Sequence, residues 1–299
     1  IVCARLWGQV VASRDQVIGK LEEAPNYGAI DGFPVCLMIN NSFAGLYTFN
    51  IPKDAYTFAM GGEGTEYVVG GESNSAQACR WKALSTGSGE DGDDYEIEYA
   101  SDGIENSVVI ESLNAAIAKV IAAHADWETE CADYIDVESV IDYFIFVNCV
   151  GAHDNLARNI LYGSYDGQKW FMSAYDLDTT FGVDPYGTTW FETVNDRNQF
   201  AEAAAIHRLC HLACKYSTAK FVARYKELRA GVLSDDHVWY ELSRFAVDIP
   251  ENGYRQDREK WPTMPGTSTS NMYQYMEFYR MHCAHLDKEV AAMEAELET

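Results

Sequence analysis

Residues 137–147 constrain the fold of this chain more than any other segment, because they are apolar on nearly every side of a helix. A helix that is apolar all round is buried in the core of a protein. Asp136 directly precedes the segment and is a favourable N-cap residue. The sequence therefore predicts a buried helix that begins after Asp136 and forms the centre of the larger part of the chain.

The net charge excludes several classes of partner. The chain has 299 residues and a formal charge of −24, from 46 acidic and 22 basic side chains. Nucleic-acid binding needs clustered Lys and Arg, so we expect no nucleic acid partner. We expect no membrane partner either, because the charge disfavours an anionic membrane surface and no apolar run approaches the roughly eighteen residues that span a bilayer. A nucleotide would need divalent cations or a few placed basic groups to bind here.

The first part of the chain has the pattern of a leading helix followed by strands. Residues 1–24 read as the helix, which is expected to end near Pro25. The pair Asn40-Asn41 suits a tight turn between two strands. The predicted β-rich runs are residues 33–52, 65–72, 78–84 and 95–99.

The second part is predicted to be mainly helical, because the apolar period changes to 3.6 from Ser112 onward. Further helices are predicted at 199–215, 219–231, 235–247 and 272–297. The expected fold class is α+β, with a small antiparallel, strand-rich part at 1–111 and a larger helical part at 112–299.

Eight cysteines without a CxxC pair favour reduced, mostly buried thiols over a disulfide framework. His207, Cys210, His211 and Cys214 share one face of a predicted helix. Four side chains from a single helix cannot easily surround one tetrahedral ion. We therefore interpret this face as half-buried helix surface rather than as a zinc site.

The loop after the buried helix carries the first chemical motif, HDNLARN. It places Asp154 five residues before Asn159. In protein kinases an Asp and an Asn at this spacing orient the acceptor group and hold a metal ion. The same pair also occurs in loops where Asp and Asn only cap their own backbone.

The residues after Asn159 alternate as two strands around Asp166-Gly167, a turn-forming pair. Asp176 and Asp178 follow immediately. Because a hairpin returns the chain close to its starting point, Asp176 is predicted to lie beside Asn159. Amide and carboxylate oxygens that converge there would suit Mg²⁺ or Mn²⁺, which share such ligands with phosphates.

Residues 136–182 resemble the CotH kinase family, the spore-coat-protein-H type of atypical protein kinases. Its signature joins an Asp-containing loop, an Asn, an LY-type hairpin and a W-D-x-D-x-x-F/W-G motif, here YDLDTTFG with Tyr175 in the usual Trp position. Residues 33–54 are similar to the family's short hairpin ending in G-x-Y, here Gly45-Leu46-Tyr47. Residues 258–262 and the last helix also fit, so the resemblance extends over nearly the whole chain.

The resemblance implies a kinase-like fold and transfer of the γ-phosphate of ATP, with Mg²⁺ or Mn²⁺, to a protein or small-molecule acceptor. Asp154 would be the catalytic Asp, and Asn159 and Asp176 would hold the metal. Asp178 is either a second metal ligand or an acceptor for backbone amides. His153 either supports the catalytic loop by hydrogen bonding or is structural.

A cation that pairs with the phosphates of ATP is harder to assign. Arg80 and Lys82 share one face of their predicted strand and are the cofactor-binding candidates, although a surface basic residue is the alternative for each. Lys53 lies in a predicted loop and is less constrained. The family usually opens with an R-G-N-S strand and a Lys-rich strand, and nothing similar is present here. Those strands are expected upstream of Ile1 or are missing.

Three functions stay open at this point. One is the kinase-like phosphotransferase. A second is a catalytically inactive relative that serves as a structural or interaction protein of a coat or particle, which the acidity and the missing Lys-rich strand favour. The third is a glycosyltransferase that uses Asp176-Leu177-Asp178 as a DxD motif, which the antiparallel pattern of the first part disfavours.

Overall fold

The computed structural model describes residues 1–62, 64–71, 95–122, 126–152, 154–183, 200, 207–263 and 272–298. Helices and antiparallel sheets are both present, which confirms the predicted α+β class. The helices are α1 (Val2–Ala12), α2 (Asn106–Ala122), α3 (Trp127–Cys131), α4 (Val137–Cys149), α5 (Arg208–Tyr216), α6 (Thr218–Ala230), α7 (Asp235–Asp248), α8 (Glu251–Lys260) and α9 (Met272–Leu297). The strands are β1 (Gly32–Ile39), β2 (Ser42–Asn50), β3 (Tyr67–Gly71), β4 (Tyr95–Ala100), β5 (Ile160–Ser164) and β6 (Trp170–Ala174).

The predicted hairpin of the first part forms as β1 and β2, which pair antiparallel in a sheet of their own. Asn40 and Asn41 have φ angles of 50° and 60°. Positive φ at both central residues is what a tight two-residue hairpin turn requires. One side of the hairpin contacts α8, where the N–H of Leu46 donates to Asp257 Oδ1 at 2.7 Å.

The second sheet has the strand order β4-β3-β5-β6, and all its pairs are antiparallel. The predicted hairpin of the second part is β5 and β6, with Gly167 at a φ of 71° in the turn. Every residue of β3, β5 and β6 is buried. The sheet thus joins strands from both predicted parts, and the division into 1–111 and 112–299 stays a prediction.

The predicted buried helix is α4, in which every residue except Glu138 is buried. Its N-cap is Asp136, as expected, although the Asp136 side chain makes no capping hydrogen bond. Trp7 of α1 packs against Phe146 of α4 with ring centroids 5.3 Å apart. Because α4 ends at Cys149, this rigid core helix leads directly into the loop that carries Asp154.

The first helix ends at Ala12, so the prediction of a helix over residues 1–24 is wrong for its second half. Ser13 closes the helix, and its Oγ donates to the carbonyl of Val10 at 2.7 Å. Arg14 then leaves the helix, and its Nε donates to Asp142 of α4 at 2.5 Å. This ion pair is buried, since the side chains of Arg14 and Asp142 are only 3% and 1% exposed. Helical periodicity carries no information about such a tertiary contact.

In the described ranges, two helices were not predicted. The short α3 lies in the expected break after α2, and α8 lies between the helices predicted at 235–247 and 272–297. Within the described ranges, none of the helices combines the length and the apolar character that a membrane crossing requires.

Candidate active site

The β5–β6 hairpin brings Asn159 and Asp176 together, which is the proximity that the sequence predicts. Ile160 pairs with Ala174 at the open end of the hairpin, and the N–H of Tyr175 donates to the Asn159 carbonyl at 3.3 Å. The φ angles of Asn159 and Asp176 are 58° and 49°. Asn and Asp tolerate this left-handed region better than other non-glycine residues. Both residues therefore lie where the chain turns away from the paired strands.

Asp154 begins a short 3-10 helix (Asp154–Leu156) just before this hairpin. Its Oδ2 accepts a hydrogen bond from Arg158 Nη2 at 2.7 Å, and its side chain is 14% exposed. The pairing holds the carboxylate in one orientation. Sequence analysis did not single out Arg158, and the signal that identifies it is its position four residues after an Asp.

Asp178 lies within the electrostatic field of Asp176 and Asp154. Partial loss of solvent raises the pKa of Asp178, and the negative charges of Asp176 and Asp154 raise this pKa further. The backbone N–H groups of Asp178 and Thr179 lower it by donating to the carboxylate. Both roles considered for Asp178, second metal ligand and acceptor for backbone amides, therefore stay predictions.

The oxygen groups at the hairpin end fit a divalent cation that is only partly enclosed by protein. Among the residues that the structure describes, no three His, Cys, Asp or Glu side chains are arranged to hold a metal ion. Mg²⁺, however, usually takes one or two carboxylates and completes its shell with water and substrate phosphates. Asp176, Asp178 and the amide of Asn159 are hard oxygen donors of the kind such a site uses.

Lys53 forms ion pairs with two glutamates of β4, beside residues 176–182, which we call the acidic loop. Its Nζ lies 2.5 Å from Glu98 Oε1 and 3.6 Å from Glu96 Oε2. The same Nζ lies 4.8 Å from the ring centroid of Tyr175, the residue directly before Asp176. The sequence treats Lys53 as a loop residue. The relevant signal in the sequence is the spacing of Glu96 and Glu98, because side chains two residues apart face the same side of a strand and their two carboxylates favour a nearby cation.

A cavity of about 230 Å³ opens onto the acidic loop. Thr48 and Asn50 of β2 line it together with Asp176 and Asp178. A larger cavity of about 510 Å³ includes Asp136 and therefore lies at the opposite end of α4. We place the candidate site at the smaller cavity because it alone of these two contains the acidic loop.

The far end of the acidic loop is also fixed. The N–H of Phe181 donates to the carbonyl of Val150 at 2.7 Å. The Phe181 ring lies 5.9 Å from the rings of Tyr275 and Tyr279 on α9. Asp176 and Asp178 are therefore held between a sheet and a helix rather than on a free loop.

Three predicted site residues, His153, Arg80 and Lys82, lie outside the described residues. His207 is the N-cap of α5, and its Nδ1 accepts a hydrogen bond from the N–H of Cys210 at 3.4 Å. His207 itself has extended backbone angles and precedes the helix, so the prediction that it shares a helix face with Cys210, His211 and Cys214 is wrong.

The family model described as CotH kinase protein matches residues 14–285, which is most of the chain. No curated protein matches the chain at a significant level.

Proposed function

Because the chain belongs to the CotH kinase family, we propose that it is a kinase-like phosphotransferase that moves the γ-phosphate of ATP to a hydroxyl group of a protein or a small molecule. The observation that carries the proposal is the meeting of Asp154, Asn159 and Asp176 around the open end of one hairpin. In phosphoryl transfer the protein mainly positions the reactants and stabilises charge. An orienting carboxylate next to oxygen ligands suits that task.

Each residue has a separate part in this proposal. Asp154 orients the acceptor hydroxyl through Oδ1, while Arg158 holds Oδ2 in place. Asn159 and Asp176, with Asp178 beside them, would hold Mg²⁺ or Mn²⁺. When bound, such an ion neutralises negative charge on the phosphates.

Lys53 is the cation that we assign to the phosphates of ATP. Its ammonium group is held by Glu98, whose side chain is 9% exposed, and it lies over the ring of Tyr175. In ordinary kinases a Lys–Glu ion pair likewise presents the phosphate-pairing lysine. Arg80 and Lys82 stay alternative predictions for the same task.

Metal-dependent nucleotide binding tests the proposal. We expect MnATP to raise the melting temperature of the protein, and ATP with EDTA to leave it unchanged. Asp176→Ala should abolish the MnATP shift, whereas Asp133→Ala, which removes an exposed carboxylate elsewhere, should retain it. An undiminished shift in Asp176→Ala would refute the metal assignment.

The lysine is tested in the same assay and by calorimetry. Charge-assisted hydrogen bonds contribute about 1.5–3 kcal/mol, so Lys53→Met should weaken MnATP binding by roughly 10- to 100-fold. Lys288→Met, at an exposed position of α9, is the matched control. Equal affinity in both variants would transfer the assignment to Arg80 or Lys82.

An inactive interaction protein of a coat or particle is the second candidate, and the β1–β2 hairpin favours it. Phe33, Tyr47 and Phe49 lie on one face of this hairpin and are 54%, 49% and 62% exposed. Residues 32–50 contain no charged side chain, although the chain as a whole carries −24. Exposed apolar faces of this kind often contact other proteins. This candidate predicts no MnATP binding by calorimetry and normal folding of the Asp154→Asn, Asp176→Asn double variant.

A further inference from the structure

The side chain of Asn155 bridges the two segments that carry the proposed metal ligands. Its Nδ2 donates to the carbonyl of Asn159 at 3.0 Å and to the carbonyl of Tyr175 at 2.7 Å. Asn155 is 0% exposed. One buried amide group therefore contacts both the residue that precedes β5 and the residue that follows β6.

These two contacts bear directly on the proposed ligands. One bonded carbonyl belongs to Asn159 itself, and the other belongs to the peptide unit that joins Tyr175 to Asp176. Asn159 and Asp176 both have positive φ angles. Residues in such conformations persist only where the surrounding structure holds them. The Asn155 amide supplies part of that restraint at both positions.

The geometry of the bridge is specific to asparagine. A primary amide offers two N–H donors from one nitrogen, at fixed directions in one plane. Aspartate of the same length has no N–H donor, and serine is shorter with a single donor. The residue is also anchored in the core, because the hydroxyl of Tyr143 on α4 donates to the backbone carbonyl of Asn155 at 2.5 Å.

We propose that Asn155 is a positioning residue that sets the separation between the side chains of Asn159 and Asp176 and so tunes the affinity of the site for divalent cations. This inference rests on the proposed function, because it requires that these two residues bind a metal. Residues that orient metal ligands through hydrogen bonds typically change metal affinity by about 10- to 100-fold when they are replaced.

The test is Mn²⁺ binding to the whole chain, measured by electron paramagnetic resonance of free Mn²⁺, together with the melting temperature of the metal-free protein. Asn155→Ser and Asn155→Ala, which remove the bridge without adding a charge, should each weaken Mn²⁺ binding by about 10-fold or more. The matched control is Asn148→Ser. Asn148 is also a fully buried asparagine, but its amide donates to the carbonyl of Phe144 within α4.

A merely structural role would lower the melting temperature of the Asn155 and Asn148 variants alike and leave the Mn²⁺ affinity of the folded protein unchanged. That result would overturn the inference while leaving the proposed function intact. A native protein that takes up no Mn²⁺ would refute both. If the Asn155 variants do not fold, Tyr143→Phe is the milder substitution, because it removes only the hydroxyl that anchors Asn155 and keeps the Asn155 amide. It should still weaken Mn²⁺ binding, and an unchanged affinity in that variant would count against the inference.

Discussion

The buried imidazole of His207 should make the stability of this protein depend steeply on pH. His207 is 0% exposed, and its Nε2 lies 3.3 Å from the hydroxyl of Tyr162 on β5. Its Nδ1 accepts the N–H of Cys210, so the neutral ring carries its proton on Nε2 and donates to Tyr162. Burial lowers the pKa of His207 from 6.5 to about 3.

The sign and size of the effect follow from this shift. Between pH 6.5 and about 3 the unfolded chain binds a proton at this histidine and the folded protein does not. The stabilisation is therefore complete above pH 6.5 and is lost as the pH falls, at about 1.4 kcal/mol per pH unit. At pH 4.5 the loss should amount to about 2.7 kcal/mol.

Urea unfolding at pH 7.5 and pH 4.5 measures this loss. His207→Asn keeps an acceptor at the N-cap of α5 and removes the titrating ring. Between pH 7.5 and pH 4.5, its free energy of unfolding should therefore fall by about 2.7 kcal/mol less than that of the native protein. His211→Asn, on the exposed side of the same helix, controls for the removal of a histidine. If the native protein and His207→Asn lose the same free energy of unfolding between pH 7.5 and pH 4.5, within about 0.5 kcal/mol, the reasoning is refuted.

Two further substitutions test the packing that supports the site. The Asp142 carboxylate pairs with Arg14 at 2.5 Å and with Arg224 at 2.7 Å. Asp142→Asn leaves both arginines without this charge and should lower the free energy of unfolding, measured by urea titration, by about 3–5 kcal/mol. Gly151→Ala adds a Cβ 2.8 Å from the ring of Phe278 at a φ of 68°, and should lower the melting temperature more than Gly103→Ala. Gly103 has a φ of 79° and nothing within 4 Å of its added Cβ, so that variant isolates the backbone cost of about 1–2 kcal/mol. Equal effects of the two alanines would contradict the packing argument.

The elements nearest to the chemistry were predictable because their signals are local. Apolar residues on all sides predict helix α4, and the alternation of apolar and polar residues around Asp166-Gly167 predicts the β5–β6 hairpin. Once the hairpin is established, chain geometry alone places Asp176 beside Asn159. No long-range information is needed for that step.

The partners of the site residues were not predictable, because each one depends on contacts between distant segments. Lys53 and Glu98 meet only when β4 lies beside the loop after β2. Asn155 looks like an ordinary turn residue until its amide is seen to join two chain segments. The helix α8 was missed for a different reason. It is so polar that Gly253 is its only buried residue, and no apolar stripe marks it.

The charges around the acidic loop link nucleotide binding to metal binding in the proposed function. In the described part of the chain the loop and its neighbours contribute five carboxyl groups and two cations, namely Asp154, Asp176, Asp178, Glu96, Glu98, Lys53 and Arg158. Both cations are already paired with carboxylates. A polyanion such as ATP would be repelled by this surface unless a divalent cation reversed its sign. In the proposed function, nucleotide binding therefore depends on a bound metal ion, and metal-dependent nucleotide binding is the measurement that separates the proposed phosphotransferase from the proposed inactive interaction protein.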